Sequence, residues 1–147
     1  MTTSPGASPI ATAAAPAASA VPAESDRAPP ALPLSGIRVV EFTHMVMGPT
    51  CGMVLADLGA EVTKVAPLDG ASTRNLLGSG AGFYPLFNRN KKSIAVDMKS
   101  AQGREVVLKL IATADVVSEN FKAETMQKLG LDYATLRALS PRLVYCS

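Results

Sequence analysis

The run IRVVEFTHMVMGPTCGMVLADLGAEVTKV, residues 37–65, decides the fold. Residues 37–42 (IRVVEF) are rich in β-branched and aromatic side chains and predict a buried strand, with residues 43–47 as the loop that leaves it. Gly48 and Pro49 then open a helix through Leu58. Proline has no N–H to donate and is tolerated in a first helical turn, while Gly59 suits the C-terminal cap. Residues 61–65 (EVTKV) return to strand. A strand, a helix and a second strand in this order form a crossover unit whose strands run parallel.

Downstream the same alternation continues. Residues 66–82 form an unusually long loop containing Gly70, Gly78, Gly80 and Gly82, and loops of that length often face a ligand or move. Residues 83–87 read as a short helix, 88–92 as a polar turn and 93–98 (SIAVDM) as a third strand. Ser100 caps a helix running to about residue 113, with Val106, Val107, Leu110 and Ile111 on one buried face. A fourth strand follows at 115–118. A helical turn at 125–129 ends at Gly130, Asp132 caps a helix through Leu139, Pro141 stops it, and 143–146 (LVYC) is a fifth strand. Such a chain is α/β, a Rossmann-like, mostly parallel sheet with helices on both faces. It is incomplete at the C-terminus, because the sequence stops at Ser147 where the next loop is expected. In open sheets of this kind ligands gather at the carboxyl ends of the strands, which singles out residues 43–48, 66–82, Lys99 and 120–122.

Upstream, residues 1–33 hold 11 Ala and 7 Pro with only Glu24, Asp26 and Arg27 charged. That composition buries little and predicts a disordered tail, with the folded region at 34–147. No Lys or Arg precedes Arg27 and prolines break the apolar stretch, so the tail makes a poor secretory signal or transit peptide.

The 147 residues are 48% hydrophobic and 18% charged, with a formal net charge of +2. That suits one soluble domain and gives no reason to expect nucleic acid or a lipid surface. No stretch approaches the roughly 18 apolar residues of a membrane span. Cys51 and Cys146 have neither metal-ligand spacing nor the density of a disulfide framework, which makes a reducing cytoplasm the simplest setting. His44 is the only histidine, so a site needing two of them in one chain is excluded.

Among candidate groups, Gly78-Ser-Gly-Ala-Gly82 misses the third glycine of a dinucleotide fingerprint and lies in the wrong loop, so it reads as flexible chain. Arg89, Lys91 and Lys92 can hold a phosphate, but a solvated turn is the plainer reading. His44, at the end of the first strand, suits a general base, yet it has no visible partner and a structural hydrogen bond is favoured. Asp97 and Glu119 lie near the ligand edge, Asp57 within a helix where it pairs with solvent or a nearby base. Cys51 sits among apolar neighbours and is expected to be buried. No P-loop or zinc motif occurs.

The ordered series GP, LADLGAEV, NRNKKSI, DMKS, ADVVSENF and LSPRLVY, spread over residues 34–147, resembles the N-terminal part of the class III CoA-transferases, the CaiB/BaiF type that includes formyl-CoA transferase. The resemblance implies a cytoplasmic enzyme moving CoA between an acyl-CoA thioester and a carboxylic acid, with no metal and as an interlocked homodimer. In that family an aspartate attacks the thioester, giving a mixed anhydride and then an enzyme-bound CoA thioester; the matching position would fall after Ser147, so no catalytic residue is assigned in this chain. The implied CoA contacts are Val46 and Met47 after the first strand, Val96, Asp97, Met98 and Lys99 after the third, Asn120, Phe121 and Lys122 after the fourth, and Lys128. The lysines suit phosphate, and Met47, Met98 and Phe121 suit adenine or the pantetheine arm. Val46 replaces the glutamine of formyl-CoA transferases and Pro67 an arginine that stacks on adenine. KAET at 122–125 replaces the usual glycine- and proline-containing turn. Two alternatives stand beside a partial transferase: an α-methylacyl-CoA racemase-like fragment, working through a proton-shuttling pair, and a non-catalytic CoA-binding or association module.

Overall fold

A computed structural model describes residues 31–147 together with Met1, and the compact unit is Ala31–Ser147. Of the tail expected at residues 1–33, residues 2–30 lie outside the described residues. Five strands, β1 (Arg38–Phe42), β2 (Glu61–Ala66), β3 (Lys92–Ala95), β4 (Val116–Glu119) and β5 (Val144–Cys146), form one sheet in the order β3-β2-β1-β4-β5 with every pairing parallel. The helices are α1 (Met47–Asp57), α2 (Phe83–Phe87), α3 (Ala101–Ile111), α4 (Ala123–Leu129) and α5 (Tyr133–Leu139). The doubly wound order places a crevice between the tips of β1 and β4, the point where the winding reverses direction.

Side chains of β1 alternate between two cores. Val40 and Phe42 pack with Val65, Val107, Ile111, Val117, Met126 and Leu136 on the face covered by α3, α4 and α5. Val39 joins Ala56, Ala60 and Val62 in the smaller cluster beneath α1. Glu41 points to the α1 side and is wholly buried. Its carboxylate accepts from Lys64 Nζ at 3.3 Å and from Lys91 Nζ at 2.9 and 3.0 Å. Lys64 also donates to the Thr43 carbonyl at 2.7 Å, and Lys91 to the Pro49 carbonyl at 2.8 Å. Burial drives both amines below the usual lysine range, against the opposing pull of the Glu41 carboxylate. Gly52 of α1 lies directly on this carboxylate, and a Cβ there would collide with Oε2.

The end caps follow the sequence. Ser100 Oγ accepts from the Gly103 N–H at 3.0 Å, Asp132 Oδ1 from the Thr135 N–H at 3.1 Å, and Gly130 adopts φ 65°, the left-handed C-terminal stop of α4. Two elements differ from the sequence reading. β3 ends at Ala95 and not at residue 98, because the Asp97 carbonyl accepts from the Ser100 N–H and Oγ and its carboxylate from the Lys99 N–H, turning the chain out of the sheet. The long loop is partly organised by short 3-10 turns at Ser72–Asn75 and Gly78–Gly80. Thr73 is buried within it, and Arg74 lies 3.8 Å above the Tyr84 ring.

Glu41→Gln leaves two buried amines without their shared anion. Urea denaturation is expected to show a loss of ~3–5 kcal/mol, the scale for breaking a buried ion pair. Stability equal to that of the parent chain would mean that the cluster carries no such load.

Candidate functional site

The crevice at the switch point is braced from both sides. Asn120, just past β4, accepts from the His44 N–H through Oδ1 at 2.8 Å and donates through Nδ2 to the His44 carbonyl at 3.0 Å. The His44 ring stacks on Phe121 with centroids 5.4 Å apart and planes 16° from parallel. Phe121 is fixed in turn by its N–H, which donates to Glu119 Oε2 at 2.8 Å. Met45 follows His44 with φ 63°, a left-handed conformation uncommon for such a side chain, and its N–H donates to Thr73 Oγ1 at 3.3 Å. The loop after β1 is therefore tied to β4 and to the long loop at once.

Beside this brace opens a cavity of about 750 Å³ at the carboxyl ends of β2, β3 and β4, walled by α3 and α4. Val96, Met98, Phe121 and Leu129 give it an apolar surface, and Lys99, Arg104 and Lys128 place three cations on its boundary. The carboxylates of Asp69 and Asp97 also line it. Asp97 is engaged with the Lys99 amide, and Lys128 pairs with Glu124 at 2.9 Å in an exposed i, i+4 contact. An apolar concavity with a few convergent polar groups is the form that small-molecule sites take.

Six of the ten residues picked from the sequence line this one cavity: Val96, Asp97, Met98, Lys99, Phe121 and Lys128. Four do not. Val46 caps α1, its carbonyl accepting from the Thr50 N–H and hydroxyl at 2.8 and 2.7 Å; Met47 is highly exposed at the start of α1. Asn120 spends its amide on the His44 backbone, and Lys122 stands exposed at the N-terminal cap of α4. The sequence reading missed Arg104, Thr125 and Leu129, while residues 67–69 belong to the 66–82 loop that it had singled out as a segment without naming a contact in it. Arg104 lies on α3 next to the buried Gly103, so helical periodicity marks it only as a boundary position; its place on the cavity comes from the docking of α4.

The basic turn is a solvated surface at Arg89 and Lys92, in line with the plainer reading, and only Lys91 turns inward. Arg89 pairs with Asp57, Lys91 is buried on Glu41 and Lys92 pairs with Glu61 at 2.9 Å. Asp57 thus has the nearby basic partner foreseen for it. The glycine run forms a 3-10 turn leading into α2 and does not line the cavity. The His44 side chain is not held as the sequence reading favoured, since its hydrogen bonds are made by the backbone and Nδ1 is buried without a partner among the described residues. Cys51 is exposed and not buried. Its thiol pKa is raised, first by partial burial and then by the neighbouring Cys146. Among the described residues no group of three or more His, Cys, Asp or Glu side chains is arranged to hold a metal, and no helix is long and apolar enough to cross a membrane.

A sequence model of CoA-transferase family III matches residues 34–147. The chain is 44% identical over 126 residues to the succinate–glutarate CoA-transferase of Agrobacterium fabrum, covering 78% of this chain and 32% of that protein. It is 36% identical over 119 residues to the formyl-CoA:oxalate CoA-transferase of Afipia carboxidovorans, covering 78% and 28%. Among solved structures it superposes on a CaiB/BaiF family protein from Brucella suis with TM-score 0.73 and 44% identity, over 79% of this chain and 33% of that one. Rv3272 from Mycobacterium tuberculosis gives TM-score 0.75 and 46% identity over 79% and 32%. The chain therefore spans about a third of the length of the relatives it matches. With the parallel sheet and the position of its cavity, these matches establish that the chain belongs to CoA-transferase family III.

Proposed function

We propose that residues 34–147 form the CoA-binding part of an enzyme that moves CoA between an acyl-CoA thioester and a carboxylic acid, with the attacking aspartate supplied by a segment outside the matched residues. The observation that carries this reading is the cavity at the strand tips, apolar within and cationic at its boundary. CoA needs both surfaces. Its adenine and pantetheine arm are apolar or flat, and its phosphates are anionic. Val96, Met98, Phe121 and Leu129 suit the first, and Lys99, Arg104 and Lys128 the second. His44, stacked behind Phe121, holds that wall in place. Cytoplasmic location and a homodimeric whole protein belong to the same proposal and follow from the family likeness.

Calorimetric titration of the 147-residue chain with CoA is expected to show saturable binding that weakens as salt is raised, because exposed cations are screened. Lys99→Ala is expected to weaken it about tenfold, the loss of one charge-assisted hydrogen bond. Absence of binding would overturn the assignment of the cavity.

Incubation of the chain with an acyl-CoA and a free carboxylic acid is expected to give binding without exchange of CoA. Exchange at an enzyme-like rate would place the nucleophile within residues 34–147 and make Asp97 and Glu119 the next substitutions to test.

A further inference from the structure

We propose that Cys51 and Cys146 form a dithiol modification site that closes reversibly to a disulfide and fastens the edge strand β5 to α1. Neither residue lines the cavity. Cys51 lies early in α1 and Cys146 ends β5, far apart in the chain, and the fold brings them together. Tyr145 packs into the core on the side of α3, α4 and α5, so alternation along β5 turns Val144 and Cys146 towards the α1 side. Cys146 is level with Ser118 of β4, and Ser118 with Glu41 of β1, in one row across the sheet. Lys91 holds the first turn of α1 over that row, donating to the Glu41 carboxylate at 2.9 and 3.0 Å and to the Pro49 carbonyl at 2.8 Å. α1 also packs against β4, with Val116 of β4 in the cluster beneath it. Cys51 and Cys146 therefore meet on one face of the sheet. The Cys51 thiol responds to that neighbour: burial raises its pKa first, and Cys146 follows, by charge and by hydrogen bonding between the side chains.

Both thiols are free and exposed, so a small oxidant can reach them. A low-molecular-weight disulfide such as oxidised glutathione supplies the oxidation. The thiolate of one cysteine attacks a sulfur of that disulfide, forming a mixed disulfide and expelling one glutathione thiolate. The thiolate of the other cysteine then attacks the protein sulfur of the mixed disulfide, closing the Cys51–Cys146 bond and expelling the second glutathione. Two protein thiols are oxidised, one glutathione disulfide is reduced, and the two protons lost from the cysteines pass to the departing thiolates. In the folded chain the closing step joins neighbours, whereas in the unfolded chain it must close a long loop. β5 is only three residues long and pairs with β4 alone, and Val144 beside Cys146 is 59% exposed. A short edge strand with so little cover opens easily, and a covalent link to α1 gives it a second anchor.

Incubation of the 147-residue chain with oxidised glutathione, followed by acid quenching and intact-mass measurement, tests the site. The expected product is a monomer lighter by two hydrogens that carries no glutathione, resists N-ethylmaleimide and is restored by dithiothreitol. The ratio of closed to mixed disulfide should be at least about tenfold higher under native conditions than in concentrated urea, because neighbouring thiols meet at a high effective concentration. On heating, the closed form should unfold roughly 10 °C above the reduced form. Cys51→Ser and Cys146→Ser should each stop at a single mixed disulfide; if either fails to fold, the measurements on the parent chain decide. A doubly glutathionylated chain, a disulfide-linked dimer, thiols that stay unreacted, or closure favoured no more than in urea overturns the site. Closure that leaves the melting temperature unchanged overturns the fastening of β5.

Discussion

One buried negative charge organises the end of the sheet where the cavity lies. Glu41 sits on the central strand with no solvent to stabilise it, and its carboxylate is shared by amines from β2 and from the turn before β3. Glu41 and Lys64 are direct neighbours in the β1–β2 register, so their attraction acts along the sheet. Lys91 reaches across from the other side to join Glu41 with the Pro49 carbonyl in the first turn of α1. Apolar side chains of equal volume would fill the same space, but they would not dictate which carbonyl and which strand end must meet. The ion cluster supplies that direction on the face where the apolar core beneath α1 is smallest.

The consequence reaches the cavity through Thr43. Lys64 holds the Thr43 carbonyl, His44 follows and is clasped by Asn120, and the His44 ring supports Phe121, which faces the cavity. The crevice between β1 and β4 is thus filled by protein, and the open space is displaced towards the tips of β2 and β3. The early end of β3 contributes to this displacement. Because Asp97 turns the chain out after Val96, residues 96–99 lie across the strand tips as part of the cavity wall, where a longer strand would have carried them past it.

Much of this was legible in the sequence because it is local. The strands are short apolar runs, the helices start at Ser100 and Asp132 and stop at Gly130, and alternating strand and helix dictates a parallel sheet. Six cavity residues could be named because the family resemblance pointed to them, and of these Lys99 and Phe121 also lie in segments that leave strand tips. Lys91 was not legible. Its partner lies 50 residues away, on a central strand buried on both faces, where alternation cannot distinguish a solvated glutamate from a buried one. Arg104 was hidden for a related reason, since only the docking of Gly130 against α3 shows where its guanidinium rests. Cys51 was read from apolar neighbours in sequence, yet the side chain lies on the exposed side of α1.

Burial separates the cations that build the fold from those available to a ligand. The densest basic cluster in the sequence, Arg89 with Lys91 and Lys92, is the one whose charges are already matched, and Lys91 cannot leave Glu41 without stranding buried charge. The cations around the cavity come from separate elements and stand at the surface. The Lys128–Glu124 contact is three-quarters exposed on both sides, so its Coulombic attraction is weakened by water and salt and a phosphate can replace Glu124 at little cost. A ligand with two separated anionic groups and an apolar body can therefore use Lys99, Arg104 and Lys128 without disturbing the cluster that fixes the strand tips. The buried cations of the fold and the exposed cations of the cavity are different side chains, and their separation follows from which lie beneath α1 and which lie on the strand tips, α3 and α4.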